Sequence, residues 1–210
     1  MKGIAATPRR PEETRQKLVA ATRGLVLQRG FTGTGIDQIC ADAGVTKGAF
    51  FHHFASKDEI GKAVLADWAA FGMGIYSAAC SEPARYPLDH VHRFFDIMIG
   101  LARTVPAPLT CVVGMISQEL ADANPVLREA AAGYLGDWTE FARRLLDEAK
   151  AVQTPRVAFD SAEVAWFLNS LWQGSMLVAK TRQDSQIVIN NLERARVHID
   201  GLFGPNNINN

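Results

Sequence analysis

Between positions 46 and 57 the chain places Thr46, Lys47, His52, His53 and Lys57 around two small residues, Gly48 and Ala49. Ammonium and imidazole groups at that density are hydrogen-bond donors for anions, and phosphate oxygens suit them. Gly48 and Ala49 carry almost no side chain, so the backbone between the donors can come close to a surface. Short helices must position these groups. Thr34 reads as the N-cap of a first helix whose Ile36, Ile39, Cys40 and Ala43 fall at helical spacing. Gly44 stands where a left-handed residue must end that helix, and Val45 plugs the turn. Thr46 then caps a second helix opening on Lys47-Gly48-Ala49, and Phe50 and Phe54, one turn apart, can pack back on the first. Ser56 with Glu59 forms a capping box for the next helix. A short second helix fits the major groove of double-stranded DNA with its first residues aimed at base edges. The same spacing also fits a helical hairpin in some other bundle, so periodicity alone leaves both readings open.

With 210 residues the chain can bury one good core and a small satellite domain. Net charge is zero, yet residues 1 to 57 hold nine Lys/Arg against four acids, an excess of five that the rest of the chain offsets. A basic end on an acidic body is the footprint of a protein that docks one end on a polyanion. No apolar run has the length of a membrane span, and residues 1 to 10 have no apolar signal core, so the cytoplasm is the expected compartment. Cys40, Cys80 and Cys111 form no metal-spaced set and no disulfide framework. With no Gly-rich phosphate loop and no nucleophile elbow, neither catalytic residues, a metal nor a cofactor is expected.

Along the chain, residues 1 to 10 read as an arm, with Pro8 and Pro11 flanking Arg9-Arg10. A helix is expected from Pro11 to Arg29, ended by Gly30, and a longer one from Lys57 through Trp68 towards Ala79. Pro83 and Pro87 break that helix, and the next carries Val91, Phe94, Phe95, Met98 and Leu101. Pro106-Ala107-Pro108 forms a rigid break before a helix from about Thr110 to Ala123, and Asn124-Pro125 opens another. Two last helices complete the chain. The first, roughly 161 to 182, is apolar nearly all round, which calls for burial on both sides. The second, roughly 185 to 203, sets Val188, Leu192, Ala195, Ile199 and Leu202 on one seam. This pair fits a homodimer interface in which each protomer gives two helices to a four-helix bundle; one large intrachain core is the alternative.

Residues 11 to 65 resemble the N-terminal domain of TetR-family transcriptional repressors, through the run GF-x-x-T-x-I-x-x-I-x-x-x-AGV-x-KG-x-F-x-HHF-x-SK-x-x-I from Gly30 to Ile60. The resemblance implies an all-α protein: a three-helix DNA-binding domain with a helix-turn-helix, and a larger helical domain for effector binding and dimerisation. Residues 1–57 are assigned to the first and 58–210 to the second. It implies that the helix from Lys57 links the two, so that its tilt carries the signal. The DNA-facing set is Thr34, Thr46, Lys47, Gly48, Ala49, Phe51, His52, His53 and Lys57. Phe51 departs from the family, which usually has a tyrosine there to bond a DNA phosphate; that contact passes to His52 or His53.

Thr110-Cys-Val-Val-Gly-Met-Ile-Ser-Gln-Glu119 resembles the G-C-L-x-G-x-x-x-Q-E segment of a TetR subgroup that answers small reactive or acidic organic molecules, with Thr110 in place of its glycine. Trp172-Gln-Gly-Ser-Met-Leu-Val-Ala-Lys180 is similar to the same subgroup's W-x-G-A-x-L-x-A-K. Cys111, at the start of a helix, would gain thiolate character from the dipole, and Lys180 alongside would add to it. That pairing implies an electrophile or oxidant sensor; a small buried core cysteine is the other reading. A reversible pocket, walled by Trp68, Phe71, Phe94, Met98, Met115, Gln118, Trp138 and Trp172, would need no cysteine chemistry. The expected partners are therefore a double-stranded operator, a small organic or electrophilic effector and a second copy of the chain. A thiol-dependent enzyme acting through Cys111 is the alternative from another class, but it lacks a recognisable base.

Overall fold

The computed structural model describes residues 9–104 and 109–204, with side chains from residue 11. Among these the regular structure is all α-helix: α1 (Arg9–Arg29), α2 (Ile36–Ala43), α3 (Lys47–His53), α4 (Lys57–Ala79), α5 (Asp89–Thr104), α6 (Val112–Leu120), α7 (Pro125–Val152), α8 (Ser161–Arg182) and α9 (Gln186–Phe203). The expected arm lies outside the described residues except for Arg9 and Arg10, which begin α1. The Pro106-Ala107-Pro108 break also lies outside them.

Two compact units form. The first holds the chain up to Trp68 together with Val112–Ala131, and the second holds Ala69–Cys111 with the chain from Ala132 onward. In the first, α1 buries Leu18, Ala21, Thr22 and Leu25 with Val19 and Val26, the stripe of a helix lying on a core. Gly30 ends it at φ 81, a left-handed position open to glycine without penalty. Against α1 pack α2, α3 and α6.

In the second unit α9 packs between α5 and α8. Its seam, Val188, Leu192, Ala195, Ile199 and Leu202, is buried within the protomer together with Phe94, Phe95, Met98, Leu168, Trp172 and Met176. The intrachain alternative therefore holds for that seam. Within the protomer α8 is covered on one side: Leu168, Trp172 and Met176 are buried, while Trp166, Phe167, Leu177 and Val178 stay about half exposed. Asp160 caps α8 by accepting from the N–H groups of Ala162 and Glu163 at 2.6 and 3.3 Å. The helix expected from Thr110 is shorter, because Ala121–Ala123 turn into the Asn124 cap of α7, whose side chain accepts from Leu127 N–H at 3.1 Å. Cys111 is thus the residue before α6, not within it.

Candidate nucleic-acid interface and effector site

The reading head is built from two caps. Gly44 ends α2 at φ 65, ψ 37; its N–H donates to Ala41 O at 3.2 Å, and Val45 N–H donates to Cys40 O at 2.9 Å. These two bonds make a Schellman turn, which fixes how the chain leaves α2. Thr46 then accepts from Ala49 N–H at 3.1 Å and starts α3. Phe50 is fully buried and Phe54 nearly so, with ring centroids 5.9 Å apart, and they pin α3 to the first unit's core. Ser56 accepts from Glu59 N–H at 3.2 Å, which is half of the expected capping box; the Glu59 carboxylate pairs with Lys62 at 2.8 Å instead of reaching back.

What α3 turns outward follows from this anchoring. Lys47 and Gly48 are exposed and Ala49 is half-buried; Lys47 pairs with Asp37 at 2.5 Å. A Cβ added to Gly48 would meet only Thr46 Oγ1, at an ordinary 3.7 Å, so nothing inside the protein demands glycine there. Phe51 is 54% exposed, its edge against Phe50. His52 is exposed beside the half-buried His53, with ring centroids 5.1 Å apart. Thr46, Lys47, Gly48, Ala49, Phe51, His52 and His53 thus share one short cap-and-helix segment.

Two expected members are placed elsewhere. Thr34 is fully buried, and its hydroxyl donates to Gly30 O at 2.7 Å; the N-cap of α2 is Gly35, which makes no side-chain cap bond. The carbonyl of Gly30, four residues back, takes the hydroxyl in place of the cap of α2, and a buried, committed hydroxyl is not offered to DNA. Lys57 is turned inward: its ammonium donates to Thr32 O at 3.3 Å and lies 4.6 Å from the Phe31 ring centroid. Burial pulls its pKa below the usual lysine value, against the raising effect of Glu119 and Asp58.

The effector candidates divide between the units. Phe94, Trp138, Trp172, Cys111 and Lys180 belong to the second, and Met115 and Gln118, on α6, to the first. In the second unit Phe94 is the hub, with ring centroids 4.8 Å from Tyr76, 5.1 Å from Trp138 and 5.8 Å from Phe141. Trp172 is buried in the same core, whereas Phe71, another expected wall, is 57% exposed. The polar neighbour of the Cys111 thiol is Gln173, whose Nε2 donates to Sγ at 3.6 Å. Gln173 precedes Lys180 by two turns of α8 and was legible only as the residue after Trp172 in the family-like segment.

Sequence reasoning also missed Tyr76. Burial pushes its hydroxyl up to about 12; the Trp138 N–H works against that rise, and the Cys111 thiol adds to it. Although close enough to act on Tyr76, Trp138 Nε1 has no hydrogen bond of proper geometry: it is a buried donor without a partner. Such a donor has an unmet demand for an acceptor. Beside this cluster a cavity of about 220 Å³ is lined by Ser77, Cys80, His90, Phe141, Arg144, Leu145 and Glu148. Burial raises the Cys80 thiol above its ordinary value, which disfavours its thiolate. Among the described residues no three His, Cys, Asp or Glu side chains cluster to hold a metal, and no helix is long and apolar enough to cross a membrane.

Comparison with known proteins agrees with this architecture. Residues 18–64 match the family model of bacterial regulatory proteins of the tetR family, and residues 87–198 match the tetracyclin repressor-like C-terminal domain. The chain is 26% identical over 192 residues to the HTH-type transcriptional repressor NemR of Escherichia coli K12, covering 91% of this chain and 94% of that protein. It is 26% identical over 183 residues to the HTH-type transcriptional repressor DhaR of Mycobacterium sp. GP1, covering 87% and 88%. The crystal structure of reduced E. coli NemR superimposes with a TM-score of 0.74 at 25% identity, over 91% of this chain and 97% of that one. The helix-turn-helix at one end of an all-helical chain, and both family matches, place it among DNA-binding regulators: the chain belongs to the TetR family of transcriptional regulators.

Proposed function

We propose that the protein is a repressor that binds a near-palindromic operator as a homodimer and leaves it when a small organic or electrophilic effector enters the second unit. Gly48 carries the DNA-facing assignment: a glycine that the protein's own packing does not require sits at the exposed start of α3, where a groove would approach the backbone. Lys47, His52 and His53 around it supply donors for phosphates, and the exposed Phe51 lies among them. The functional division is placed at 57/58, in the first turn of α4. Dimerisation is assigned to the outer faces of α8 and α9, where Trp166, Phe167, Leu177 and Val178 are about half exposed and Val197 more so. An apolar surface of that kind on a helical pair suits a partner.

The effector is assigned to the cluster of Tyr76, Phe94, Trp138, Cys111 and Gln173. Two routes are open to a molecule there. Alkylation or oxidation of Cys111 would displace the thiol from Gln173, whereas a ligand with a hydrogen-bond acceptor would satisfy Trp138 Nε1 without cysteine chemistry. A mobility shift on DNA from upstream of the gene, with and without a thiol alkylator and with Cys111→Ser alongside, separates them. Release by the alkylator in the wild type alone supports the thiol route. Binding that survives alkylation rejects it and leaves the reversible ligand. Failure of the untreated protein to prefer that DNA over a scrambled sequence would count against the operator assignment itself.

A further inference from the structure

We propose that Glu119 is a positioning residue for DNA binding: its carboxylate, with the Lys57 ammonium, clamps the α1–α2 turn and so sets where α3 is presented. The proposal rests on the DNA-binding role of α3.

Glu119 lies on the last turn of α6, far in sequence from the reading head and in the same compact unit. Its Oε1 accepts from Phe31 N–H at 3.1 Å and its Oε2 from Thr32 N–H at 2.8 Å. Two adjacent backbone donors are thus held by the two oxygens of one carboxylate, a charge-assisted pair with defined direction. From the other side Lys57, in the first turn of α4, holds the carbonyl of Thr32. The sequence around the turn is fitted to this grip. Gly30 adopts φ 81, and a Cβ there would stand 2.3 Å from Glu119 Oε1. The Phe31 ring lies where a Cβ on Gly61 would come within 2.9 Å of it, so Gly61 makes room for the ring beneath the Lys57 ammonium. Thr34, at the end of the turn, is tied back to Gly30 O.

The consequence is mechanical. The turn is the covalent lead into α2, and α2 is joined to α3 by the fixed Schellman turn and Thr46 cap. Holding residues 30–32 therefore fixes the entry of the whole helix-turn-helix. Neither Glu119 nor Lys57 needs to touch DNA for its loss to be felt at the operator, because misplacement of a short reading helix removes several contacts together.

The test uses the full-length protein with Glu119→Gln and Glu119→Ala. Amide hydrogen exchange reads the clamp without DNA, and titration of upstream DNA against a scrambled control reads the function. Exchange at Phe31 and Thr32 should rise in both variants, more in Glu119→Ala, because an amide oxygen can take only one of the two N–H groups. Exchange at Leu18, Ile39 and Phe50 should stay unchanged, and operator affinity should fall by about tenfold or more. A uniform rise across the unit would mean a general structural role and would overturn the proposal. So would unchanged exchange at Phe31 and Thr32, or faster exchange there with undiminished operator affinity. If the wild type itself fails to distinguish operator from scrambled DNA, the DNA-binding premise falls and the proposal with it, while the exchange pattern still shows whether the clamp exists.

Discussion

Phe51 is where this chain differs most informatively from its family. Its ring is exposed on α3, next to His52 and His53, and offers no hydroxyl. Phe51→Tyr should tighten operator binding by about tenfold or more, the worth of one hydrogen bond to a charged acceptor, with no change in melting temperature. Equal affinity in a quantitative mobility shift would show that the ring does not face a phosphate. Tyr76 makes a prediction of another kind. Its pKa is raised from 10.0 to about 12 in the folded protein, so between those values the unfolded chain loses the proton while the native state keeps it. Stability from this group is full below about pH 10 and falls as pH rises to 12, by roughly 3 kcal/mol at most. Denaturant titrations from pH 9 to 12 should show a shallower alkaline loss in Tyr76→Phe than in the wild type; parallel curves would contradict the buried, neutral hydroxyl.

At the scale of helices, local signals were legible and distant ones were not. The α2–α3 turn could be read because its determinants, Gly44 at φ 65 and the Thr46 hydroxyl, act within four residues. Thr34 misled although its bond is local: a good cap residue gave its hydroxyl to Gly30 O, four residues back, and left the N-cap of α2 to Gly35. Glu119 was legible only as the last residue of the family-like segment, since nothing near it in sequence reveals that Phe31 and Thr32 donate to it. The seam of α9 was found correctly, but periodicity cannot say which neighbour covers it, and α5 and α8 of the same protomer do. That leaves the outer face of α8 for a partner. Leu177→Glu, half exposed in the protomer, should leave helicity intact and shift the molar mass by light scattering from dimer to monomer. A dimer that persists would move the interface away from α8.

For the whole molecule, the division of chemistry follows the division into units. The first carries the basic excess of the N-terminal segment and the α3 surface, and its core includes α6. The second gathers the aromatic cluster, the Cys111 thiol and the unpaired Trp138 donor, on helices whose remaining apolar surface suits a second copy. A single seven-residue reading helix has little base contact for tight specific binding, which is why the proposed operator is read by two heads on a two-fold site. Nuclease footprinting of the wild type on DNA upstream of its own gene, with Gly48→Leu as the matched variant, tests whether α3 reads DNA in pairs. Paired reading predicts two symmetric protected half-sites whose centres lie about one helical turn, or a whole multiple of it, apart. It also predicts that Gly48→Leu abolishes both while the variant stays folded and dimeric. Protection by Gly48→Leu equal to that of the wild type, or no protected sequence at all, would contradict it.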